Sequence, residues 1–580
     1  MPAELFTTEP LSAPDAICRV LEEAGIRKIF GVPGGHTGHI YNACESHANT
    51  LDLMVVRQES IAGVIAEVTG RLTGVPGVIM GQGGWVLGHG IIGTLEALLS
   101  SSPMLLLTEL SDTPGFDLHA PYQAGTGDYG VWDTKKAFEA ITKQVFVVHD
   151  PVSAVQATQL AIKHALAGQP GPVAVLYGRN ALLGEPVGPD SFPFLYKTAY
   201  YLPPAPPPAR VEQVAAAAEA IREAEKPVLL AGNGVRVGQA EDALLRFAEA
   251  SGIPVVTTAT GKGVIAESHP LALGPAGTFG VHAAGMTCAD ADLVIVAGSK
   301  LGASDIGRES PNLFDPRRQT FVQIEIEPRN ASWIVPAEHV LIGSVGPVLD
   351  QLRDTLGEDP EAFAKGSERV QAIRKKYGHF DAPARANDSS PLHPQRVIAG
   401  MEAALPDDII VTCDAGENRM MINHHFQSRV PRGVLQPAGV GPMGYAIPAA
   451  LAAKLHCPDR TVVAVAGDGG FAMSSNGLMS ALDHSIKIIV VVFNNASLGA
   501  VVHDTGTYGA QFAEVDHARM ARGMGCVGLR VSEAEDIEPA FREAMAADGP
   551  VVIDFVTSPE VSFRAAVAPP LGSLSVADDE

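Results

Sequence analysis

Cysteine is scarce in this chain, and the few cysteines are scattered. They are Cys18, Cys44, Cys288, Cys413, Cys457 and Cys526, and no two of them have CxxC spacing. Structural zinc sites and the disulfide frameworks of small secreted domains need clustered cysteines. The composition therefore argues against both.

Basic residues are also few relative to acidic ones. The chain has 41 Lys and Arg against 65 Asp and Glu, which gives a formal net charge of −24 at pH 7. A surface with this charge repels polyanions, so nucleic acid is a poor candidate partner. The excess of acid is most simply a source of solubility.

Long apolar runs are missing as well. No run approaches the ~18 residues that a transmembrane helix needs, and the first residues, MPAELFTTEPLSAPDA, lack the basic region and apolar core of a signal peptide. We therefore expect a cytoplasmic protein that does not bind a membrane.

What the chain does have is the composition of a large α/β protein. It contains 46% hydrophobic residues with 60 Gly and 43 Pro in 580 residues, which is enough for about three or four domains. Short apolar, β-branched runs alternate with helical patterns, and a proline-rich linker covers residues 202–209. We expect three doubly wound α/β domains at 1–195, 210–355 and 390–565, and a mobile tail at 566–580.

The stretch from Val462 to Gly499 carries the most specific pattern. A buried strand is predicted at 462–466, a glycine turn at 467–470, a helix at 471–483 and a second buried strand at 486–493. Such a βαβ unit brings Asp468 and Asn495 together at the carboxyl edge of the sheet. Their oxygens suit a Mg²⁺ ion that carries phosphate. An ordinary crossover that binds a nucleotide, or nothing, is the alternative.

This stretch resembles the thiamine diphosphate (ThDP) signature of the acetolactate synthase-like superfamily, and the resemblance covers nearly the whole chain. It implies pyrimidine-binding, central and diphosphate-binding domains in that order. It also implies that Asp468, Asn495 and the main-chain carbonyl of Ser497 hold Mg²⁺. The turn residues Gly469 and Gly470 are then expected to contact the cofactor.

Further residues match the same family. Glu59, in VVRQES, corresponds to the glutamate that hydrogen-bonds the aminopyrimidine ring and so promotes loss of the thiazolium proton; a helix-start glutamate on the surface is the alternative. In GVGPMGYAIP, Met443 corresponds to the residue that bends the cofactor, and Gly441 to the one that offers its carbonyl to the 4′-amino group.

The segment Ala415 to Asn418 aligns with the family's diphosphate-contacting VGQH motif. The resemblance therefore implies cofactor contacts for Gly416, Glu417 and Asn418. Asn418 stands where the family has histidine, which puts that side-chain contact to phosphate in doubt.

The loop GGHTGH departs from the acetolactate synthases, which have small apolar residues there. It is similar to the GHTSH loop of cyclohexane-1,2-dione hydrolase, a ThDP enzyme that cleaves a carbon–carbon bond with water. His36 and His39 are candidate catalytic residues because imidazoles titrate near neutral pH, although loop packing would also explain them.

Other positions are matched less specifically. Gln123 aligns with an active-site glutamine of the family and Lys143 with a lysine, while either Trp85 or His89 could face the site. Asp504 stands where acetolactate synthases have a tryptophan that selects the second substrate, which argues against a true acetolactate synthase.

The central domain resembles the FAD-binding domain of acetolactate synthases, with Lys300 in place of an arginine. FAD, ADP or no nucleotide are all compatible with it. In the family each cofactor lies between two chains, so the resemblance implies a homodimer or homotetramer.

The resemblance implies an enzyme that acts on a small carbonyl substrate. Its leading reaction is lysis or ligation of the bond next to the carbonyl of a 2-oxo acid. A hydrolase of cyclic 1,2-diketones is the alternative, and a 2-hydroxyacyl-CoA lyase or a non-catalytic ThDP-binding subunit are further ones.

Overall fold

The computed structural model describes residues 3–111, 123–307, 310–357 and 359–563. The expected tail at 566–580 lies outside these residues. By its internal contacts the chain divides into two compact units. Unit 1 contains Met1–Ala205, Ala438–Gly441 and Leu451–His456, and unit 2 contains the rest.

Unit 1 contains one parallel six-stranded sheet in the order β2-β1-β3-β4-β6-β5. The strands are β1 Lys28–Gly31, β2 Asp52–Val55, β3 Gly77–Gly81, β4 Met104–Glu109, β5 Gln144–Val148 and β6 Pro172–Tyr177. The helices are α1 Ala13–Glu23, α2 Gly38–Ala43, α3 Glu59–Thr73, α4 Gly83–Gly88, α5 Ile91–Ser100, α6 Thr134–Glu139, α7 Pro151–Leu166 and α8 Arg179–Leu183.

The central part of unit 2 contains a second parallel sheet, in the order β12-β11-β10-β7-β8-β9. Its strands are β7 Pro227–Ala231, β8 Val255–Thr257, β9 Ala272–Pro275, β10 Leu293–Ala297, β11 Thr320–Glu325 and β12 His339–Ile342. Its helices are α9 Val211–Glu223, α10 Asn233–Val237, α11 Glu241–Ser251, α12 His282–Asp290, α13 Val345–Leu356 and α14 Ala362–Tyr377.

The third parallel sheet, also in unit 2, has the order β14-β13-β15-β16-β18-β17. Its strands are β13 Ile410–Cys413, β14 Val434–Leu435, β15 Val462–Gly467, β16 Ile489–Asn494, β17 Val527–Val531 and β18 Val551–Val556. The helices that accompany this sheet in the sequence are α15 Pro394–Ala404, α16 Glu417–His425, α17 Ala446–His456, α18 Asp468–Ser474, α19 Gly477–Asp483, α20 Gly499–Thr505, α21 His517–Met524 and α22 Ile537–Ala546. Residues 451–456 of α17 are counted in unit 1.

The central strands are mostly apolar because helices cover both faces of each sheet. In β10, Leu293, Ile295 and Ala297 pack into one hydrophobic cluster. The alternate residues, Val294 and Val296, pack into a second cluster on the opposite face. This arrangement is typical of parallel sheets in α/β proteins. The predicted fold class, three doubly wound α/β domains, is confirmed.

Two details of the Val462–Gly499 prediction are wrong. Asp468 begins α18, so Gly469 and Gly470 lie in the first turn of a helix and not in a separate turn. The single helix predicted at 471–483 is two helices, since α18 ends at Ser474 and α19 begins at Gly477. Asn476 and Gly477, at the break, have low helix propensity.

No helix among residues 3–111, 123–307, 310–357 and 359–563 combines the length and the apolar character needed to cross a bilayer.

Unit 2 buries an ionic pair together with several histidines. Lys262 and Glu267 are fully buried, and the Lys262 Nζ atom lies 2.6 Å from both carboxylate oxygens. Burial lowers the pKa of His425 to about 4, and the charges of Arg385 and Lys262 add to the effect. In the described part of the structure neither ring nitrogen of His425 has a hydrogen-bond partner. The neutral imidazole is therefore the form that fits the fold.

This burial predicts an acid-sensitive fold. His425 has a pKa of about 4 in the folded protein against 6.5 for the free side chain, so only the unfolded chain binds this proton between those values. Stability is then lost as the pH falls through about 6.5, and the loss levels off below about 4. At pH 5 one such histidine costs about 2 kcal/mol.

His425→Phe, which keeps the ring without a titrating group, is expected to reduce this loss. The free energy of unfolding is measured from pH 7.5 to 4.5, with the half-buried His339→Phe as control. An unchanged pH profile for His425→Phe would contradict the assignment.

Candidate active site

The carboxyl ends of β13, β15 and β16 form the rim of a cleft in unit 2. β13 pairs with β14 on one side and β15 on the other, so the crossover connections diverge between β13 and β15. Ligands of open α/β sheets bind at this kind of switch point. The cleft is lined by residues that include Gly416, Glu417, Asn418, Met443, Asp468, Gly469, Gly470, Asn495 and Ser497.

The three predicted metal ligands lie together in this cleft. The Ser497 amide nitrogen is 3.2 Å from Asp468 Oδ2 and 3.1 Å from Asn495 Oδ1, so one N–H group faces both side-chain oxygens. Burial raises the pKa of the Asp468 carboxyl. Carboxylate, amide and carbonyl oxygens are ligands that Mg²⁺ accepts.

The backbone between these ligands adopts an unusual conformation. Ala496 has a φ of 52°, in the left-handed region that non-glycine residues rarely enter. This conformation turns the following amide, that of Ser497, towards Asp468. Strain of this kind is concentrated at functional sites.

A network behind the cleft fixes the residue before Asn495. The Nδ2 atom of Asn494 donates to Asp554 Oδ1 at 2.9 Å, and Arg530 donates to Asp554 Oδ2 at 3.0 Å. The backbone amide of His517 donates to the same carboxylate at 3.0 Å. The fully buried Asp554 therefore anchors the end of β16.

Asp414 connects two parts of the cleft. Its buried carboxylate accepts the amides of Gly444 at 2.8 Å and Ala446 at 2.5 Å, which fixes the chain after Met443. A Cβ atom on Gly470 would overlap its Oδ2. Burial raises the pKa of Asp414 to about 6. The Asp414 carboxylate therefore positions both the loop that follows Met443 and the start of α18.

Met443 lies beside the glycines of α18. A Cβ atom on Gly469 would come within 3.0 Å of the Met443 methyl carbon and within 3.2 Å of Leu498. The absence of a side chain at Gly469 therefore gives Met443 its place in the cleft.

The Gly416–Asn418 segment opens α16 at the same rim. Gly416 has a φ of 107°, which favours glycine. Asn418 is buried, and its Nδ2 donates to the carbonyls of Asp414 at 3.0 Å and Val465 at 3.4 Å. The amide hydrogens of Asn418 are thus already donated to main-chain carbonyls. This weakens the case for a side-chain contact from Asn418 to phosphate, as the replacement of the family's histidine already indicated.

In unit 1, a buried carboxylate fixes the segment that contains Gly441. Glu96 accepts the backbone amides of four consecutive residues, Ala438 to Gly441. The amide of Gly439 donates to Oε1 at 2.6 Å and that of Val440 to Oε2 at 2.9 Å. The segment that carries the predicted Gly441 carbonyl contact is therefore held firmly.

Glu59, also in unit 1, is the first residue of α3 and is 3% exposed. Its Oε2 atom lies 3.3 Å from Nδ1 of His89, while Trp85 on α4 is about half exposed at 49%. Of the two residues left open by the sequence, His89 is the one that contacts the predicted catalytic carboxylate.

The loop GGHTGH of unit 1 (residues 34–39), here called the histidine loop, is organised around Glu109, the last residue of β4. The Glu109 Oε2 atom accepts the His36 amide, and a Cβ atom on Gly35 would overlap the carboxylate. The His36 Nε2 atom lies 2.9 Å from the Ser111 carbonyl oxygen. A carbonyl can only accept, so Nε2 carries the hydrogen and neutral His36 presents Nδ1 as its base.

The remaining candidates have different surroundings. His39 is exposed on α2. Gln123 has a φ of 59°, and its Oε1 accepts a long hydrogen bond of 3.5 Å from Gln82. Lys143 donates to three carbonyls, including those of His164 and Ala167 near the end of α7, which is a structural role.

The central sheet of unit 2 has a second polar edge. Lys300 follows β10, and burial lowers its pKa, while Glu325 ends β11 and burial raises its pKa. Within the described residues, the buried Thr278 Oγ1 has no hydrogen-bond partner. Gly277, beside it, has a φ of 91°. A nucleotide hydroxyl or phosphate would supply the missing partner.

Sequence reasoning missed Asp414, Glu96 and Glu109. All three are buried carboxylates that accept backbone amides of glycine-containing loops. The available signal was weak, namely an acidic residue next to a glycine segment or within an otherwise apolar element.

Three sequence families match the chain. "Thiamine pyrophosphate enzyme, N-terminal TPP binding domain" matches residues 11–128, the corresponding "central domain" matches 214–352, and the "C-terminal TPP binding domain" matches 414–555.

Several whole-chain relatives carry acetolactate synthase names. The probable acetolactate synthase large subunit of Methanocaldococcus jannaschii is 30% identical over 97% of this chain and 95% of its own length. The large subunit of Corynebacterium glutamicum is 31% identical over 94% and 87%. The isozyme 3 large subunit of Escherichia coli is 27% identical over 93% and 92%.

The contact between Asp414 and α18 predicts different outcomes for two glycine substitutions. Gly470→Ala should lower the free energy of unfolding by about 1–3 kcal/mol because its Cβ overlaps a buried carboxylate. Gly467→Ala is the control, since its Cβ would lie 3.8 Å from Asn418 Oδ1. Urea unfolding compares the two variants, and equal stability would contradict the packing.

Proposed function

Because this chain belongs to the thiamine pyrophosphate enzyme family, among its acetolactate synthase-like members, we propose that it is a Mg²⁺-requiring ThDP enzyme that breaks or forms the carbon–carbon bond next to the carbonyl of a 2-oxo acid. The observation that carries the proposal is the convergence of Asp468, Asn495 and Ser497 in one cleft with Met443.

The residues present fit the cofactor. One carboxylate and two neutral oxygens suit a cation that also binds a diphosphate. Gly469 and Gly470 leave the start of α18 without side chains, so an anion can approach the backbone there closely. Asp468, Asn495 and the Ser497 carbonyl would hold Mg²⁺, and Met443 would lie against the cofactor.

When bound, ThDP supplies a nucleophilic carbon and an electron sink for cleavage next to a carbonyl. The chain supplies proton transfer and orientation. Glu59 is buried and would hold a proton at the aminopyrimidine ring, with His89 as its neighbour. The His36 Nδ1 atom would accept or return a proton at the substrate.

The proposal includes a homodimer or homotetramer. In the family that the sequence resembles, each cofactor lies between two chains, with the residues that correspond to Glu59 and Met443 both beside it.

A nucleotide in the central domain is part of the same proposal. The Thr278 hydroxyl, which has no hydrogen-bond partner among the described residues, supports it together with Lys300 and Glu325 along the same sheet edge. FAD in a non-redox role is the first candidate and ADP the second.

A hydrolase of cyclic 1,2-diketones is the second candidate function. The ordered His36 imidazole favours it, because hydrolysis requires a base that activates water. The prediction that the chain is not a true acetolactate synthase rests on Asp504, which is exposed on α20.

A substrate screen tests the proposal. Purified protein with ThDP and Mg²⁺ is supplied with single 2-oxo acids, pairs of 2-oxo acids and cyclic 1,2-diketones, and the products are identified by mass spectrometry. Asp468→Ala should be inactive and should not bind ThDP at ordinary Mg²⁺ concentrations, because the cation loses the one carboxylate among its three proposed ligands. Calorimetry showing unchanged ThDP affinity for this variant would refute the metal assignment.

Glu59→Gln tests the proton-transfer role. The amide keeps the shape of the side chain but cannot exchange its proton in the same way, so ThDP should still bind while thiazolium deprotonation slows by at least ~10². Hydrogen–deuterium exchange at that carbon of the bound cofactor measures the step, with the exposed Glu45→Gln as control. If exchange in Glu59→Gln is as fast as in the parent, a group other than Glu59 promotes deprotonation of the cofactor.

The histidine loop separates the two candidate functions. His36→Ala or His39→Ala is expected to lower turnover by at least ~10² with ThDP affinity within a few fold. Exposed His149→Ala is the control. A hydrolase should lose hydrolysis product, whereas a carboligase should lose stereocontrol. Turnover equal to the parent in both variants would make the histidines loop-packing residues and remove the main support for hydrolysis.

A further inference from the structure

Glu417 and His503 form a side-chain pair beside the candidate metal ligands. Glu417 is the first residue of α16, and His503 lies in α20. The His503 Nδ1 atom is 2.7 Å from Glu417 Oε1, and its Nε2 atom is 3.1 Å from the Pro559 carbonyl oxygen. The two side chains are 11% and 18% exposed, so the pair is largely shielded from water.

The two partners of the imidazole determine how many protons the pair holds. The Pro559 carbonyl only accepts, so Nε2 must carry a hydrogen. At Nδ1, either the imidazole is also protonated and donates to a carboxylate, or Glu417 is protonated and donates to the ring. In both cases the pair holds one proton more than a neutral imidazole and a free carboxylate. The pair therefore has no net charge.

The other oxygen of Glu417 faces the metal-binding residues. A Cβ atom on Gly499 would lie 2.7 Å from Glu417 Oε2 and 3.1 Å from Asn495 Nδ2. The carboxylate and the amide of a candidate metal ligand thus border the same small space. Glu417 also lines the cleft that contains Asp468 and Ser497.

An unneutralised carboxylate at this position would repel an anion. A diphosphate held by Asp468 and Asn495 would share the cleft with Glu417, and like charges are weakly screened in a partly buried cleft. His503 removes this repulsion without placing its own side chain in the cleft.

We propose that His503 is a positioning residue that neutralises Glu417 and thereby allows the cofactor's diphosphate to bind next to it. The inference rests on the proposed function, because it requires ThDP in this cleft. It assigns a binding role to a residue of α20 outside the motifs that the sequence singled out.

Calorimetry of ThDP binding at fixed, saturating Mg²⁺ tests the proposal through affinity rather than activity. His503→Gln should weaken ThDP binding by at least about tenfold, because Glu417 then becomes an unneutralised anion. Adding Glu417→Gln to His503→Gln should recover most of that loss, since the repelling charge is gone. His339→Gln, on β12, controls for histidine substitution elsewhere in unit 2.

A second variant keeps the test decisive if His503→Gln misfolds. His503→Arg keeps a positive charge beside Glu417, so its ThDP affinity should exceed that of His503→Gln. Thermal unfolding of the free variants shows whether a loss of affinity reflects a loss of folded protein. If His503→Gln does not fold, the ThDP affinities of His503→Arg and of the double variant are compared with that of the parent. Weak ThDP binding by both variants would overturn the proposal.

Three results would contradict the inference. ThDP affinity of His503→Gln equal to the parent would show that Glu417 does not repel the diphosphate. No recovery in the double variant, with weakened Mn²⁺ binding by Glu417→Gln in electron paramagnetic resonance, would make Glu417 itself a metal ligand. A parent protein that fails to bind ThDP with Mg²⁺ would overturn the proposed function as well.

Discussion

The candidate site depends on one buried carboxylate, that of Asp414. It accepts the amides of Gly444 and Ala446 and lies against the backbone of Gly470. The chain after β13, the loop after Met443 and the start of α18 are distant in sequence, and this side chain brings them into contact. Burial raises its pKa to about 6, so the charged form is maintained at neutral pH at a cost in free energy. The backbone hydrogen bonds offset part of that cost.

Much of the architecture followed from local patterns. Buried, β-branched runs such as 462–467 became central strands because residues covered on both faces must be apolar. Asp468 and Asn495 met as expected because parallel strands end at one edge of a sheet. The break at Asn476 and Gly477 was missed because helical periodicity continues across it, and only the weak helix propensity of the two residues marks it.

Long-range polar contacts could not be predicted. Glu109 is near His36 only because β4 and β1 lie on either side of β3 in the sheet, and nothing in TELS indicates an anchor for a loop 73 residues earlier. The same holds for His503, which follows Asn495 in an exposed helix and reaches Glu417 across 86 residues. The candidate metal ligands were identified from spacing within one motif, whereas the side chains that contact the neighbouring loops come together only through the fold.

The Glu96 contact has a consequence for motion. The segment Ala438–Gly441 has no regular secondary structure, yet all four of its amides donate to one fully buried carboxylate. Loops usually exchange their amide hydrogens with solvent quickly, because little free energy is needed to open them. Here one amide cannot be released without disturbing the acceptor of the others. We therefore expect the segment Ala438–Gly441 to open as a unit. Its four amide hydrogens should exchange at rates typical of a helix rather than of a surface turn.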